Sequence, residues 1–412
     1  MTLDAVVCGA GIGGLATALA LRRQGIPVTV LEQSPEVREV GAGLQIGPNA
    51  SAALTRLGLR DVMMSLSLEV QETVQRRWRD GSIIAKTTLG PGATVDYGAP
   101  YLQLHRADLQ QALLAAAVDP AGSGPQVTVV TGVRVEAVDD SDPLRPAAIA
   151  VDGARYEGSV LIGADGIKSV IRDNVGAPSE IVDSGDMCFR TLLDGAAIAA
   201  DPATRFLVDW QAGQFWFGPD RHLIAYPVRD YTAINIVGIV PITDDVAREW
   251  RRPSSTAELV AAYEGWDTRL VSALAKADGD IVLWALKHQE PHSVWVAGRL
   301  ALVGDACHAM LPYVSQGASQ AIEDGVVLAE ELGAVPDDGV PAALLRYVER
   351  RAERAEFVQR AALANRTDFH LPDGPEQVAR DERLRSDHRA VGTSLDWIYR
   401  GTPARVLEPA TA

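Results

Sequence analysis

The spacing of hydrophobic and polar positions changes several times along the chain, and each change marks an element. Leu3 to Cys8 is an apolar run, followed at once by Gly9-Ala10-Gly11-Ile12-Gly13-Gly14 and then by an Ala/Leu stretch, Leu15 to Arg23, with helical spacing. Pro27 to Leu31 reads as a second strand ending in Glu32. Between Val70 and Thr88 the period drops to two, with Asp80-Gly81 placed to turn a hairpin. Leu104 to Gln110 opens a helix that runs to about Val118, and strands are expected at Val127 to Val138 and Ala147 to Val151. Val160-Leu161-Ile162 leads into Gly163-Ala164-Asp165-Gly166 and a short helix through Arg172. From Met187 to about Leu286 the texture becomes aromatic and β-branched, with strands expected at Phe206 to Trp210, Phe215 to Phe217, His222 to Val228 and Ala233 to Val240. These predict an antiparallel sheet that the earlier hairpin joins. Leu300 to Val303 reads as a buried strand, Ala318 to Glu331 as a helix, and Pro341 to Asn365 as a long helix with a solvated charged face, long enough for a subunit contact in a homodimer. The ends of the chain read as trim.

Composition narrows the function classes. At 412 residues, 47% hydrophobic and 22% charged, the chain can build two or three domains around a large core. A net charge of -16 argues against nucleic acid and against an anionic membrane surface, both of which need a basic face. Cys8, Cys188 and Cys307 are odd in number and lack metal-ligand spacing, so neither disulfides nor zinc is expected, and a reducing cytoplasm fits. The N-terminus lacks a basic region before its apolar run, and no apolar stretch is long enough to span a membrane.

The candidate chemistry lies in loops that follow strands. In strand-turn-helix context, Gly9 permits a tight turn, Gly11 lets backbone approach a pyrophosphate, and Gly14 allows close packing of helix on strand. Glu32 is placed to accept from ribose hydroxyls, which selects a nucleotide with a free 2′-hydroxyl and leaves FAD and NAD both open. Arg38 precedes a glycine-rich run, Gly41 to Asn49, that reads either as a surface loop or as backbone laid against a flat ring. Arg106 sits near a helix start, where a cation is disfavoured unless an anion partners it. Asp165 either caps its helix or faces a ligand. Gly304-Asp305 and Gln316-Gly317 form another strand-to-helix loop, with Asp305 able to accept from hydroxyls and Gly304 and Gly317 admitting close approach. His222 and Tyr226 share one face of a strand, with Trp210, Phe215 or Phe217 as possible apolar walls; by themselves such residues are equally at home in a core.

As a set, Gly9 to Gly14 with Glu32, the Gly163 to Gly166 loop, and Gly304-Asp305 with Gln316-Gly317 and Glu323-Asp324 resemble the single-component FAD-dependent aromatic hydroxylases, in particular the salicylate, 3-hydroxybenzoate and 6-hydroxynicotinate hydroxylase branch. The resemblance runs from Leu3 to Trp397-Ile398-Tyr399. It implies an α/β fold with a Rossmann-like FAD-binding domain of the glutathione-reductase type (1–69, 101–180 and 287–340), an antiparallel β-sheet substrate domain (70–100 and 181–286) and a C-terminal helical segment (341–412). Glu32 would then hold the adenosine ribose, Arg106 the flavin nucleotide and Asp305 the ribityl chain, with the Asp165 loop assisting FAD and the passing NADH or NADPH. Gln45 and Tyr313 would lie by the substrate, and the spacing of His222 and Tyr226 matches the pair this branch places over it. The implied reaction hydroxylates a small phenolic or heteroaromatic acid with O2, through a flavin hydroperoxide, and His222 would accept the phenol proton. Epoxidation or another flavin oxidation would use the same cofactor motifs, and an NAD-binding redox sensor is the non-enzyme alternative. Neither His-Glu-x-x-His nor Gly-x-Ser-x-Gly occurs.

Overall fold

A computed structural model describes residues 3–37, 42–178, 180–242, 250–386 and 395–401. Ala5–Cys8 is buried along its whole length and is central to a six-stranded sheet, pairing in parallel with Val28–Glu32 on one side and Val160–Gly163 on the other. Thr128–Thr131 and Leu300–Leu302 extend that parallel array, and Val296–Ala297 adds an antiparallel edge. Burial on both faces explains why Ala5–Cys8, Val160–Gly163 and Leu300–Leu302 read as unbroken apolar runs. Helices Ile12–Arg23 and Gly317–Gly333 pack side by side at its face. Gly325 makes that approach possible, since a Cβ there would lie 2.8 Å from the Thr17 backbone nitrogen.

The second sheet has eight strands, in the order Arg251–Ser254, Ile281–His288, Val182–Asp194, Ala233–Pro241, Arg221–Val228, Ala212–Gly218, Glu72–Arg77, Ile83–Thr88. The early hairpin joins it as expected, but through a parallel pair, Glu72–Arg77 with Ala212–Gly218. Three expectations need correcting. Phe206 to Trp210 is a 3-10 turn at Arg205–Leu207 followed by bends, tied down by Thr204, whose hydroxyl donates to the Ile198 carbonyl. Val127 to Val138 divides into two strands that serve different sheets. Leu102–His105 is a strand between Gly43–Ile46 and Ser67–Glu69, so the helix begins only at Arg106 and the glycine-rich run contains a strand rather than a plain loop.

The helix Val340–Phe369 is integral to the core: Tyr347 is fully buried and donates to the Leu302 carbonyl. Its Arg351 and Arg354 meet Glu323 and Asp324 of Gly317–Gly333 in a buried ion-pair cluster, with Arg351 at 2.7 Å from Asp324 and 2.9 Å from Glu323. Burial pushes both acids up, yet the guanidiniums, together with His308 at Asp324, outweigh it and hold each at about 2. Among the described residues no helix is long and apolar enough to cross a membrane.

Candidate active site

A long cavity of about 300 Å³ lies between the two large sheets. Gly11, Arg106, Gly304, Asp305, Gln316 and Gly317 line it from the parallel-sheet side, and Arg190, Ile224 and Tyr226 from the eight-stranded sheet. It continues past Arg106, Asp305 and Arg190 toward Glu32 through a further space of about 440 Å³. The residues fit a flavin dinucleotide. Gly9 has φ +111°, and a Cβ on it would stand 2.4 Å from the Ala164 carbonyl oxygen; one on Gly14 would stand 2.0 Å from the Gly9 oxygen. A Cβ on Gly11 would meet nothing within 4 Å, so the space beside its backbone is open to an approaching pyrophosphate. Helices Ile12–Arg23 and Gly317–Gly333 start without side-chain caps, leaving their first N–H groups for an anion or a ring edge. The Glu32 carboxylate accepts from the backbone of Ala10 at 2.9 Å and Ser34 at 2.8 Å, which fixes its orientation at the strand end. Asp165 caps the short helix Val170–Val175 through Oδ2, while its buried Oδ1 has no partner and burial raises its pKa. Gly166 and Ala164, rather than Asp165, line the cavity. Arg38 lies outside the described residues.

A second cavity of about 230 Å³ adjoins the first, and Gln45 and Ser315 belong to both. Its walls are aromatic: Tyr97, Tyr101, Phe215, Tyr313 and Tyr399. Polar groups converge from Thr73, Thr87 and Asn365. Tyr101 donates to Gln45 Oε1 at 2.7 Å, whereas Gln45 Nε2 is buried with no partner, a donor available to a ligand at the junction. An aromatic slot with a few fixed polar groups suits a small flat arene.

Tyr226 lines the flavin-side cavity, and burial keeps its hydroxyl far from ionisation at neutral pH. His222, on the same face of Arg221–Val228, lines neither cavity. Its ring lies 5.0 Å from that of Tyr313, centroid to centroid, and its Nδ1 is 2.8 Å from Nε2 of His370, the residue that ends the long helix. Burial, and then the neighbouring imidazole, depress His222 well below the usual histidine range; burial also pulls His370 down to about 4. Both imidazoles are therefore neutral at pH 7, so one donates the shared proton and the other accepts it.

Two wall expectations are corrected. Trp210 lies on the far face of the eight-stranded sheet, its ring 3.9 Å from Lys86 Nζ and 5.6 Å from the Arg76 guanidinium. Phe217 stacks on Phe369 at 4.2 Å, one step down the strand from the opening that Phe215 faces. Neither lines the aromatic cavity: the turn at Arg205–Leu207 carries Trp210 to the other face, and Phe217, on the same face as Phe215, is covered by Phe369. The chain end is corrected as well. Leu395–Tyr399 is a helix that walls the cavity through Leu395 and Tyr399, with Tyr97 donating to Asp396 and Arg354 donating to the Trp397 and Ile398 carbonyls. Arg190 is the further residue that sequence reasoning passed over: it lines the flavin-side cavity with a buried, unpartnered Nε. Its signal was a single cation in the otherwise apolar inward row Cys188, Arg190, Leu192.

Comparisons with known proteins agree with this geometry. A family described as an FAD binding domain matches residues 2–362. A 3-amino-4-hydroxybenzoate 2-monooxygenase of Streptomyces platensis is 37% identical over 393 residues, covering 95% of this chain and 94% of that one. The 6-hydroxynicotinate 3-monooxygenase of Pseudomonas fluorescens is 34% identical over 361 residues, covering 87% and 90%. Among solved structures, Klebsiella pneumoniae HpxO complexed with FAD and uric acid has a TM-score of 0.82 at 26% identity, covering 97% of this chain and 95% of that one.

Proposed function

The chain belongs to the FAD-binding-domain family and is an FAD-dependent oxidoreductase, and from that premise we propose that it hydroxylates a small phenolic arene or heteroarene acid, with NADH or NADPH as reductant and O2 as oxygen source. The observation that carries the reading is the aromatic cavity that opens past Gln45 and Ser315 into the cavity lined by Gly11, Arg106 and Asp305. Bound FAD would supply hydride acceptance and oxygen activation. Gly9, Gly11 and Gly14 would admit its pyrophosphate, Glu32 and Asp305 would accept from its hydroxyls, and Arg106, Gly304 and Gly317 would line its seat.

The chain's own residues would orient the arene and handle its proton. Tyr101, Phe215, Tyr313 and Tyr399 would hold the ring flat and exclude water, and Gln45 Nε2 would donate to a ring substituent. The phenol proton would leave on the side of Tyr226, whose neutral hydroxyl lines the flavin-side cavity, and of His222, whose imidazole, depressed by burial, would accept it only in passing and not hold it as a resting cation. In this reading residues 1–69, 101–180 and 287–340 form the cofactor domain and residues 70–100 and 181–286 the substrate domain. A reducing cytoplasm is part of it, supported by three buried free thiols, Cys8, Cys188 and Cys307.

The test is NADH and NADPH oxidation by the purified protein with 3-amino-4-hydroxybenzoate, 6-hydroxynicotinate, 3-hydroxybenzoate and salicylate, with hydroxylated product and peroxide both quantified. Stimulated oxidation with matching product is the expected result. Peroxide alone with all four removes the phenolic-acid assignment, and a protein purified without FAD removes the reading altogether.

A further inference from the structure

We infer that Asp186, held by Arg366, is a positioning residue that fixes Tyr313 in the wall of the substrate cavity. What Tyr313 faces rests on the hydroxylase reading; the clamp itself is geometric. An acid at position 186 is at odds with its surroundings. Residues 186, 188 and 190 share one face of Val182–Asp194, and the register of this strand against Ile281–His288 breaks between Asp183 and Met187, where Gly185 takes φ +77°. The Asp186 carboxylate, 1% exposed, is at the inner side of that break. A buried charge is costly unless it is paired and hydrogen-bonded.

Two side chains satisfy it. The Tyr313 hydroxyl donates to Oδ2 at 2.5 Å, while Arg366 donates from Nε to Oδ2 at 2.5 Å and from Nη2 to Oδ1 at 3.0 Å. The residue before it on the same helix, Asn365, donates to the Tyr313 carbonyl at 3.3 Å. Consecutive helical residues thus grip Tyr313 at its side-chain and backbone ends. Tyr313 lies in the 3-10 turn Pro312–Val314, and the next residue, Ser315, is held at φ +52° and lines both cavities. A phenylalanine would fill the same space without burying a charge, so packing alone does not account for the clamp. Oxygen transfer depends on sub-ångström placement of the ring, and a tilting Tyr313 would release activated oxygen as peroxide. The Tyr313 hydroxyl is engaged by Asp186, and burial followed by that carboxylate drives its pKa far up, so its part is played by the position of its ring.

The test uses FAD-loaded Asp186→Asn, Tyr313→Phe, the double variant and Arg366→Gln. Two quantities are measured: the dissociation constants of 3-amino-4-hydroxybenzoate, 6-hydroxynicotinate and 3-hydroxybenzoate, from the perturbation of flavin absorbance, and the ratio of product to peroxide. Asp186→Asn is expected to weaken the tightest of the three by about tenfold and to raise the peroxide share with FAD content retained. Tyr313→Phe should reproduce the loss, and the double variant should be no worse than the worse single. Wild-type binding and coupling in Asp186→Asn, or additive losses in the double variant, overturn the inference. Should Asp186→Asn not fold, Arg366→Gln and Tyr313→Phe decide by the same two quantities. If the wild type binds an arene but hydroxylates none, the hydroxylase reading fails while the binding comparison still decides for Asp186; if it binds none of the three, the substrate cavity and this role fall together.

Discussion

At position 222 the surroundings select a neutral histidine: it is 1% exposed, packed by Tyr313 and Phe369 and bonded to a second imidazole. A neutral imidazole can accept a hydrogen bond at pH 7, whereas a protonated one in this interior would lack a counter-charge within the pair, so any proton His222 takes up is passed on rather than kept. His222→Ala is expected to slow product formation at least ~10-fold while leaving the FAD-to-protein ratio unchanged; undiminished hydroxylation removes His222 from the mechanism. The cavity walls make a matched prediction. Phe215→Ala should raise the KM for the arene several-fold, whereas Trp210→Phe, on the far sheet face against Lys86, should leave KM unaltered. Steady-state kinetics separate the two, and a larger effect at Trp210 would contradict the wall assignment. At Gly14 the constraint is steric. An alanine Cβ would sit 2.0 Å from the Gly9 carbonyl oxygen, so Gly14→Ala must open the first turn of the fold, with a loss of about 2 kcal/mol and of bound FAD, read by denaturant unfolding and flavin absorbance.

Among the elements, the short helix Leu395–Tyr399 bears most on function for its size. Five residues would not hold a helix by themselves. This one is held because Arg354 donates to its Trp397 and Ile398 carbonyls, Trp397 packs edge-on against Phe357 at 4.7 Å, and the rings of Tyr97 and Tyr101 meet Tyr399 at 5.4 and 5.7 Å. Arg354 is in turn paired with Glu323, which also accepts from Asn49. The cavity wall and the helix behind the flavin loop thus share one buried network. Ending the chain at residue 394 is expected to retain FAD and to divert most electrons from the nicotinamide reductant to peroxide. A truncated protein with wild-type product yield per reductant oxidised would show that the helix is dispensable to the cavity. None of this was evident from Trp397-Ile398-Tyr399 in isolation, since three apolar residues after a polar stretch have no period to interpret.

For the whole molecule, the buried ionisable groups set a pH dependence. His370 titrates at about 4 in the fold, against 6.5 when unfolded, and His222 is shifted the same way. Below pH 6.5 the unfolded chain binds protons that the folded one refuses, so stability declines as pH falls from about 6.5 toward 4. Glu323 and Asp324, held at about 2 against unfolded values of 4.5 and 3.8, contribute stability that is complete above those values and lost as pH falls from about 4.5 to 2. The melting temperature should therefore fall in two stages on acidification, and His370→Phe should blunt only the first. A flat melting temperature between pH 6.5 and 4 would contradict the neutral histidine pair.

The cofactor half of the protein was legible from sequence because its determinants are local. Gly9 to Gly14 and Glu32 lie within one strand-helix-strand unit, Gly304-Asp305 and Gln316-Gly317 within one strand-to-helix loop, and backbone sterics at a tight turn leave few alternatives to glycine. Apolar runs likewise sufficed for the strands Ala5–Cys8, Val160–Gly163 and Leu300–Leu302, which are buried along their length. The substrate cavity was decided by tertiary structure alone. Gln45, Tyr101, Phe215, Tyr313, Asn365 and Tyr399 come from six separate segments, and no spacing links them. Phe215 and Phe217 share a strand face, and which of them met the opening turned on Phe369 of the long helix covering Phe217, just as the place of Trp210 turned on a 3-10 turn where the pattern suggested a strand. Side-chain direction at a site assembled from distant segments is therefore a property of the packed chain, while the turns that cradle a dinucleotide are a property of the residues that make them.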